Sequence, residues 1–120
     1  MDGHEKLDGV RGIWNGENFY FRSVKRIYAS KWFTENFSAQ PKDGELWMER
    51  VTFERLSGIV RKNISDERDW KQMRYMLFEL PESSGTFTER IHKMVKLTAS
   101  VKSPGYRLFC KYNLILRNHY

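Results

Sequence analysis

A chain of 120 residues can form one small core, with folding burying roughly two thirds of its unfolded surface. Apolar residues make up 40% and charged residues 30%, a balance that excludes a disordered chain. No apolar run nears the ~20 residues that span a bilayer, no apolar leader is present, and a single Cys110 excludes an internal disulfide.

These features set a reducing cytoplasm as the expected compartment and no membrane as partner. His4, His92 and His119 are too scattered to suggest a metal cluster. The net charge of +6 is uneven: residues 1–60 carry nine Lys/Arg against nine Asp/Glu, and residues 61–120 carry twelve against six. A basic second half suits non-specific contact with phosphates, and equally a soluble surface that happens to be basic.

In chain order, residues 5–14 read as a strand or tight strand pair carrying Lys6-Leu7-Asp8-Gly9-Val10-Arg11. Asp8-Gly9 bends it locally. Lys6 has the chemistry of a nucleophile and Arg11 that of an anion-binding partner. An Asp-Gly turn between two cations is also an ordinary solvated surface. Asn15-Gly16 signals a hairpin, and residues 18–23 return as a strand ending at Arg22.

Trp32, Phe33 and Phe37 have the spacing of a buried helical face over 31–37, with Ser30 as a candidate cap. After Gln40-Pro41-Lys42, Asp43-Gly44-Glu45-Leu46-Trp47-Met48 starts an apolar-polar run typical of a strand, with Glu45 near its start. Phe53, Leu56, Ile59 and Val60 mark a helix over 52–61, capped by Thr52. Residues 63–69 read as a loop, and 73–80 as a largely buried strand closed by Pro81. Residues 86–101 read as a helix, stopped at Ser103-Pro104-Gly105, and 106–116 alternate loosely as a last strand. The fold class is α+β: five or six short, mostly antiparallel strands with three helices.

Lys6-x-Asp8-Gly9-x-Arg11 resembles the nucleophile motif of the covalent nucleotidyltransferases: ATP-dependent DNA ligases, RNA ligases and mRNA capping enzymes. Asp43-Gly44-Glu45-Leu46-Trp47, Tyr75-Met76-Leu77-Phe78-Glu79-Leu80-Pro81 and Gly85-Thr86-Phe87-Thr88-Glu89-Arg90 follow in order. The series is similar to the small ATP-dependent DNA ligases of bacteria and phages, over residues 5–103.

The resemblance implies an ATP-grasp-like adenylation domain in which antiparallel sheets flanked by helices enclose ATP. It makes Lys6 the nucleophile that forms lysyl-AMP, with Mg²⁺ as cofactor and nicked DNA as the eventual partner. Glu5, Arg11, Arg22, Glu45 and Phe78 are then nucleotide-binding residues: Glu45 holds the ribose and supports the metal, and Phe78 stacks on adenine.

Two positions depart from the family pattern. Val24 stands where a glycine follows Arg-Ser, so the turn there is expected to differ, because valine disfavours positive φ. Glu79 stands for an aspartate. A Glu-Gly motif, a Lys-x-Lys strand and an oligonucleotide-binding-fold domain do not follow. Residues 1–120 are therefore expected to be one partial adenylation domain, weak or inactive alone, with a complementing C-terminal ligase fragment as a further partner. Two alternatives stand beside this reading: a catalytically dead basic module binding nucleic acid or a protein, and an RNA ligase or capping-type fragment.

Overall fold

A computed structural model describes residues 9–35, 37–99 and 108–110. Among them six strands form one mixed sheet: β1 (Val10–Trp14), β2 (Phe19–Tyr20), β3 (Arg26–Ile27), β4 (Lys42–Trp47), β5 (Arg74–Glu79) and β6 (Leu108–Cys110). Their order across the sheet is β3-β2-β1-β4-β5-β6. The first four pairings are antiparallel, and β5 with β6 is parallel. The expectation of an α+β fold with mostly antiparallel strands stands, and the one parallel pairing among the described residues lies at this edge. A parallel partner needs a crossover, and helix α4 (Phe87–Ala99) lies between β5 and β6 in the chain.

Local chemistry explains the elements. At the hairpin, Asn15 Oδ1 accepts from the backbone N–H of Glu17 at 2.8 Å and of Asn18 at 2.9 Å, while Gly16 takes φ +107°. The loop thus spans four residues between Trp14 and Phe19, which pair across it. Helix α2 (Phe53–Arg61) starts where expected, with Thr52 Oγ1 accepting from Arg55 N at 3.2 Å. Its buried stripe is Leu56, Ile59 and Val60, whereas Phe53 is left exposed.

Two expectations on helices change. Helix α1 (Lys31–Thr34) is a single turn, and Ser30 supports it through its carbonyl rather than its hydroxyl. The expected loop 63–69 contains the start of another turn, α3 (Glu67–Trp70), because Asp66 caps it by accepting from Arg68 N at 2.9 Å.

The core lies on one face of the sheet. Trp14, Leu46, Tyr75 and Leu77 from the strands meet Leu56, Val60 and Met94 from the helices in one buried cluster. Its centre is aromatic: Phe19 lies 5.2 Å from both Trp14 and Tyr75, ring centre to ring centre, and Phe33 lies 5.2 Å from Trp70. Edge and tilted contacts of this kind add to simple burial.

Candidate functional site

Strand alternation sends one set of side chains into that core and the other set out of the opposite face. Register places Arg11 beside Glu45, Glu45 beside Met76, and Trp47 beside Arg74. Arg11, Asp43, Glu45, Trp47, Arg74 and Met76 therefore share the outer face. None of them belongs to the buried cluster.

At Phe78 the ladder slips: Gly44 pairs with Leu77, but Asp43 pairs with Glu79. Phe78 is the extra residue of a bulge, a device that re-aims a side chain at a strand end. Its ring lies under the Arg11 guanidinium, 5.4 Å from Arg11 Cζ. Arg11 is in turn forked onto Asp43, with Nε donating to Oδ1 at 3.0 Å and a second guanidinium nitrogen bonded to Oδ2. The Asp43 bond raises the Arg11 pKa above its ordinary value, with Asp43 and Glu45 adding their charge.

Glycines let these strands close up. A Cβ at Gly9 would sit 2.6 Å from Glu45 Cγ and 2.5 Å from the Leu46 carbonyl oxygen. Gly9, the described end of the Lys-x-Asp-Gly run, is therefore pressed against Glu45. Gly44 makes room for the Tyr75 ring, whose Cζ would be 2.7 Å from an added Cβ, and Tyr75 Oη donates to the Gly12 carbonyl at 2.7 Å. The strand expected from Asp43 onward is present: Asp43 and Gly44 lie inside β4, and the glycine leaves room for the Tyr75 ring on the buried face.

A DNA ligase of Haemophilus influenzae is 37% identical to this chain over 90 residues, which are 75% of this chain and 33% of that ligase. A solved Lig E DNA ligase, described as binding DNA with a minimal scaffold, superposes with a TM-score of 0.76 at 33% identity. That match covers 87% of this chain and 41% of the Lig E chain. This chain is homologous to part of the ATP-dependent DNA ligases.

It spans about a third of the length of that curated ligase (33%). The Chlorella virus DNA ligase-adenylate, at 18% identity and a TM-score of 0.64 over 88% of this chain and 40% of its own, shows the shared fold. No family model matches the chain.

Within the part shared with the ligases, the described site residues separate. Arg11, Glu45 and Phe78 come together on the outer face. Arg22 does not join them by any described contact. It sits exposed on the β2–β3 turn, next to Ser23, which with Phe21, Lys25 and Arg61 lines a separate small cleft of about 160 Å³. That turn also corrects the expectation at Val24. Val24 takes φ +71° and its N–H bonds the Phe21 carbonyl at 2.8 Å, so the left-handed turn is kept at the cost of strain in a β-branched residue. Lys6 and Glu5 lie outside the described residues.

Asp43 was missed as a partner of Arg11, although its position two residues before Glu45 on one strand puts it on the same face. Glu79 and Arg90 also answer each other. Arg90 Nε donates to Glu79 Oε1 at 2.8 Å, and Glu79 Oε1 accepts from its neighbour Leu80 N at 2.9 Å. The Arg90 bond holds the Glu79 pKa below the usual carboxylate range. This pair ties α4 to the residue after Phe78, so both motifs serve to fix the end of β5.

Among the described residues no three His, Cys, Asp or Glu side chains are grouped to hold a metal ion. Of the carboxylates near Arg11 and Phe78, Asp43 is engaged by Arg11 and Glu79 by Arg90, and Glu45 lies on the same face beside Arg11. A Mg²⁺ ion commonly takes one or two carboxylates with phosphate oxygens and water. Glu45 fits that role as a single protein ligand. No helix among the described residues is long and apolar enough to cross a membrane.

Proposed function

We propose that this chain forms the nucleotide-holding part of an ATP-dependent DNA ligase adenylation domain, a nucleotidyltransferase acting on nicked DNA in the cytoplasm. The reading is carried by one observation: the outer sheet face gathers Arg11, Glu45 and Phe78 from three strands whose motifs run in the order found in DNA ligases.

ATP is the substrate in this reading. The Lys6 amine attacks the α-phosphorus. An N–P bond forms as the bond to the β-phosphate oxygen breaks, pyrophosphate leaves, and the amine gives up a proton. AMP then passes to a 5′-phosphate at a nick, and the 3′-hydroxyl displaces it. Glu45 accepts hydrogen bonds from the ribose hydroxyls. Phe78 offers its ring to adenine once Arg11, now lying over it, moves off toward the phosphates. Asp43 limits that movement and sets the resting position of Arg11. Glu5 and Arg22 are assigned to the nucleotide from motif position alone. Mg²⁺, held at Glu45, would supply charge neutralisation on the triphosphate.

Residues 1–120 act here as one unit, and a C-terminal ligase part supplies the remaining phosphate contacts. The test is to fuse residues 1–120, which keep β6 in the sheet, to the C-terminal part of a complete small ligase and measure transfer of label from α-labelled ATP in the presence of Mg²⁺. Label is expected on the protein, lost in Lys6→Ala and reduced about tenfold or more in Glu45→Gln. A folded fusion that takes no label would favour a non-catalytic nucleic-acid-binding module.

A further inference from the structure

We propose a second site on this chain: a cationic cleft at the far end of β4 and β5 that seats a backbone phosphate of duplex DNA. It rests on the ligase reading for the nature of the polyanion. The cleft, about 470 Å³, is lined by Glu49, Arg50 and Val51 after β4 and by Lys71, Gln72 and Arg74 leading into β5. Three cations there face one carboxylate.

The cations are not equivalent. Arg74 is fixed in place: one guanidinium nitrogen bonds Glu49, and its Cζ lies 5.2 Å from the Trp47 ring centre and 5.8 Å from that of Phe109. Glu49 is thereby engaged, and four of the five Arg74 N–H donors remain without a described partner. Lys71 lies with its ammonium 5.9 Å from the Trp32 ring centre and is exposed to solvent. The side chains of Arg50 and Gln72 have no described hydrogen-bond or ion-pair partner, and both are exposed. Arg50 is also held at φ +57°, an uncommon conformation for a non-glycine residue.

The floor is rigid. Successive N–H groups of Lys71, Gln72 and Met73 bond the carbonyls of Glu67, Asp69 and Trp70 at 2.9, 3.1 and 3.1 Å. These bonds fix the turn that carries Lys71 and Gln72, and the guanidinium forks of Arg50 and Arg74 beside it match the oxygens of a tetrahedral anion.

Position supplies the ligand. Arg74 pairs with Trp47, two residues along the ladder from the Met76–Glu45 pair. At ~3.4 Å per residue, the cleft opens on the order of 7 Å beyond Glu45 on the same face, about the separation of adjacent phosphates on one DNA strand. A duplex whose reacting phosphate lies at the Arg11–Glu45 site would therefore lay a neighbouring phosphate over Arg50, Lys71 and Arg74.

The experiment measures binding of the full chain to a labelled nicked duplex over a salt series. It compares wild type, the pair Arg50→Gln/Lys71→Gln, and a control pair Arg55→Gln/Lys96→Gln, exposed residues outside the cleft. Thermal melts establish that all three are folded. Losing one seated phosphate should lower the slope of log K against log salt by about 1, and weaken binding several-fold independently of sequence. The control pair should leave the slope unchanged.

Equal losses in both pairs, no loss in the cleft pair, or no binding by wild type would overturn the proposal. Displacement of the duplex by millimolar inorganic phosphate at constant ionic strength would overturn it in favour of a free-anion site. Preference for duplex RNA with the same slope change would overturn it in favour of RNA. The ligase reading fails separately: an unlabelled fusion with an intact slope change removes the activity and keeps the cleft, and a labelled fusion with no slope change does the reverse.

Discussion

Leu77 and Phe78 are neighbours in one strand and belong to different worlds. Leu77 is fully buried among the aromatic core residues, while Phe78 lies on the outer face beneath an arginine. The same contrast runs along β4, where Leu46 is buried and Glu45 lies beside Arg11. The sheet therefore keeps its stabilising contacts on one side. Charges and a bulge sit on the other, where small losses in packing leave the fold intact and a ligand can compete for the side chains.

The largest expected effect is at Gly44, on the buried face of β4 between the outward-facing Asp43 and Glu45. A side chain there would put Cβ 2.3 Å from the Met76 carbonyl oxygen and 2.7 Å from Tyr75 Cζ. Gly44→Val should destabilise the chain by about 4 kcal/mol or more, or prevent folding, as read by denaturant unfolding. The adjacent pair then measures the contrast directly. Leu77→Ala should cost about 3 kcal/mol and Phe78→Ala about 1 kcal/mol, because the first opens a core cavity and the second removes cross-strand and cation–π contacts. Equal costs would mean that the outer face is packed like the core.

Val24 belongs to neither face and sharpens the comparison from outside. Val24→Gly relieves a left-handed valine and should stabilise the chain by about 1 kcal/mol, after the extra entropy of glycine in the unfolded state. Unfolding midpoints of the two proteins would show it, and a lower midpoint for the glycine variant would contradict the strain.

Lys42 is the charge on the wrong side of the sheet. It is fully buried, with Nζ donating to Ser38 Oγ at 2.9 Å and to the Gln40 carbonyl at 2.8 Å, and burial lowers its pKa from 10.5 to about 8. Below pH 8 both folded and unfolded chains hold this proton. Between about 8 and 10.5 the unfolded chain holds it and the folded chain does not, so stability should rise with pH across that window. The gain from pH 8 to 9 should be about 1 kcal/mol, and Lys42→Met should flatten it.

Much of the frame was legible in the residues. The apolar run of residues 73–80, the Thr52 cap and the Asn15-Gly16 signal each follow from local chemistry, and the structure has a strand, a cap and a hairpin there, though the strand buries alternate residues rather than both faces. Arg11, Glu45 and Phe78 were singled out only through the resemblance of their motifs to those of the ligases, since partners on adjacent strands leave no local trace.

What was not legible depends on distant contacts. Asp43-Gly44 was legible as the start of a strand, but the need for its glycine, set by a ring 31 residues later in the chain, was not. The bulge at Phe78 is a register property of two strands. Val24 carries the wrong propensity for its backbone, and the turn's own hydrogen bonds override it. Asp66, in a stretch with loop composition, caps a helical turn whose Trp70 is buried against Phe33. The second cationic cleft joins residues 49–51 to 71–74, and only the β4–β5 pairing brings them together.

The central claim is that the outer face of the sheet is the nucleotide face. Photocrosslinking of the full chain with an azido-adenine analogue of ATP, followed by mapping of modified peptides, tests it most directly. Crosslinks should fall on peptides containing Phe78 and Glu45, compete with unlabelled ATP, and weaken in Phe78→Ala. Competable crosslinks concentrated on α2 or α4, with the outer-face peptides unmodified, would contradict it.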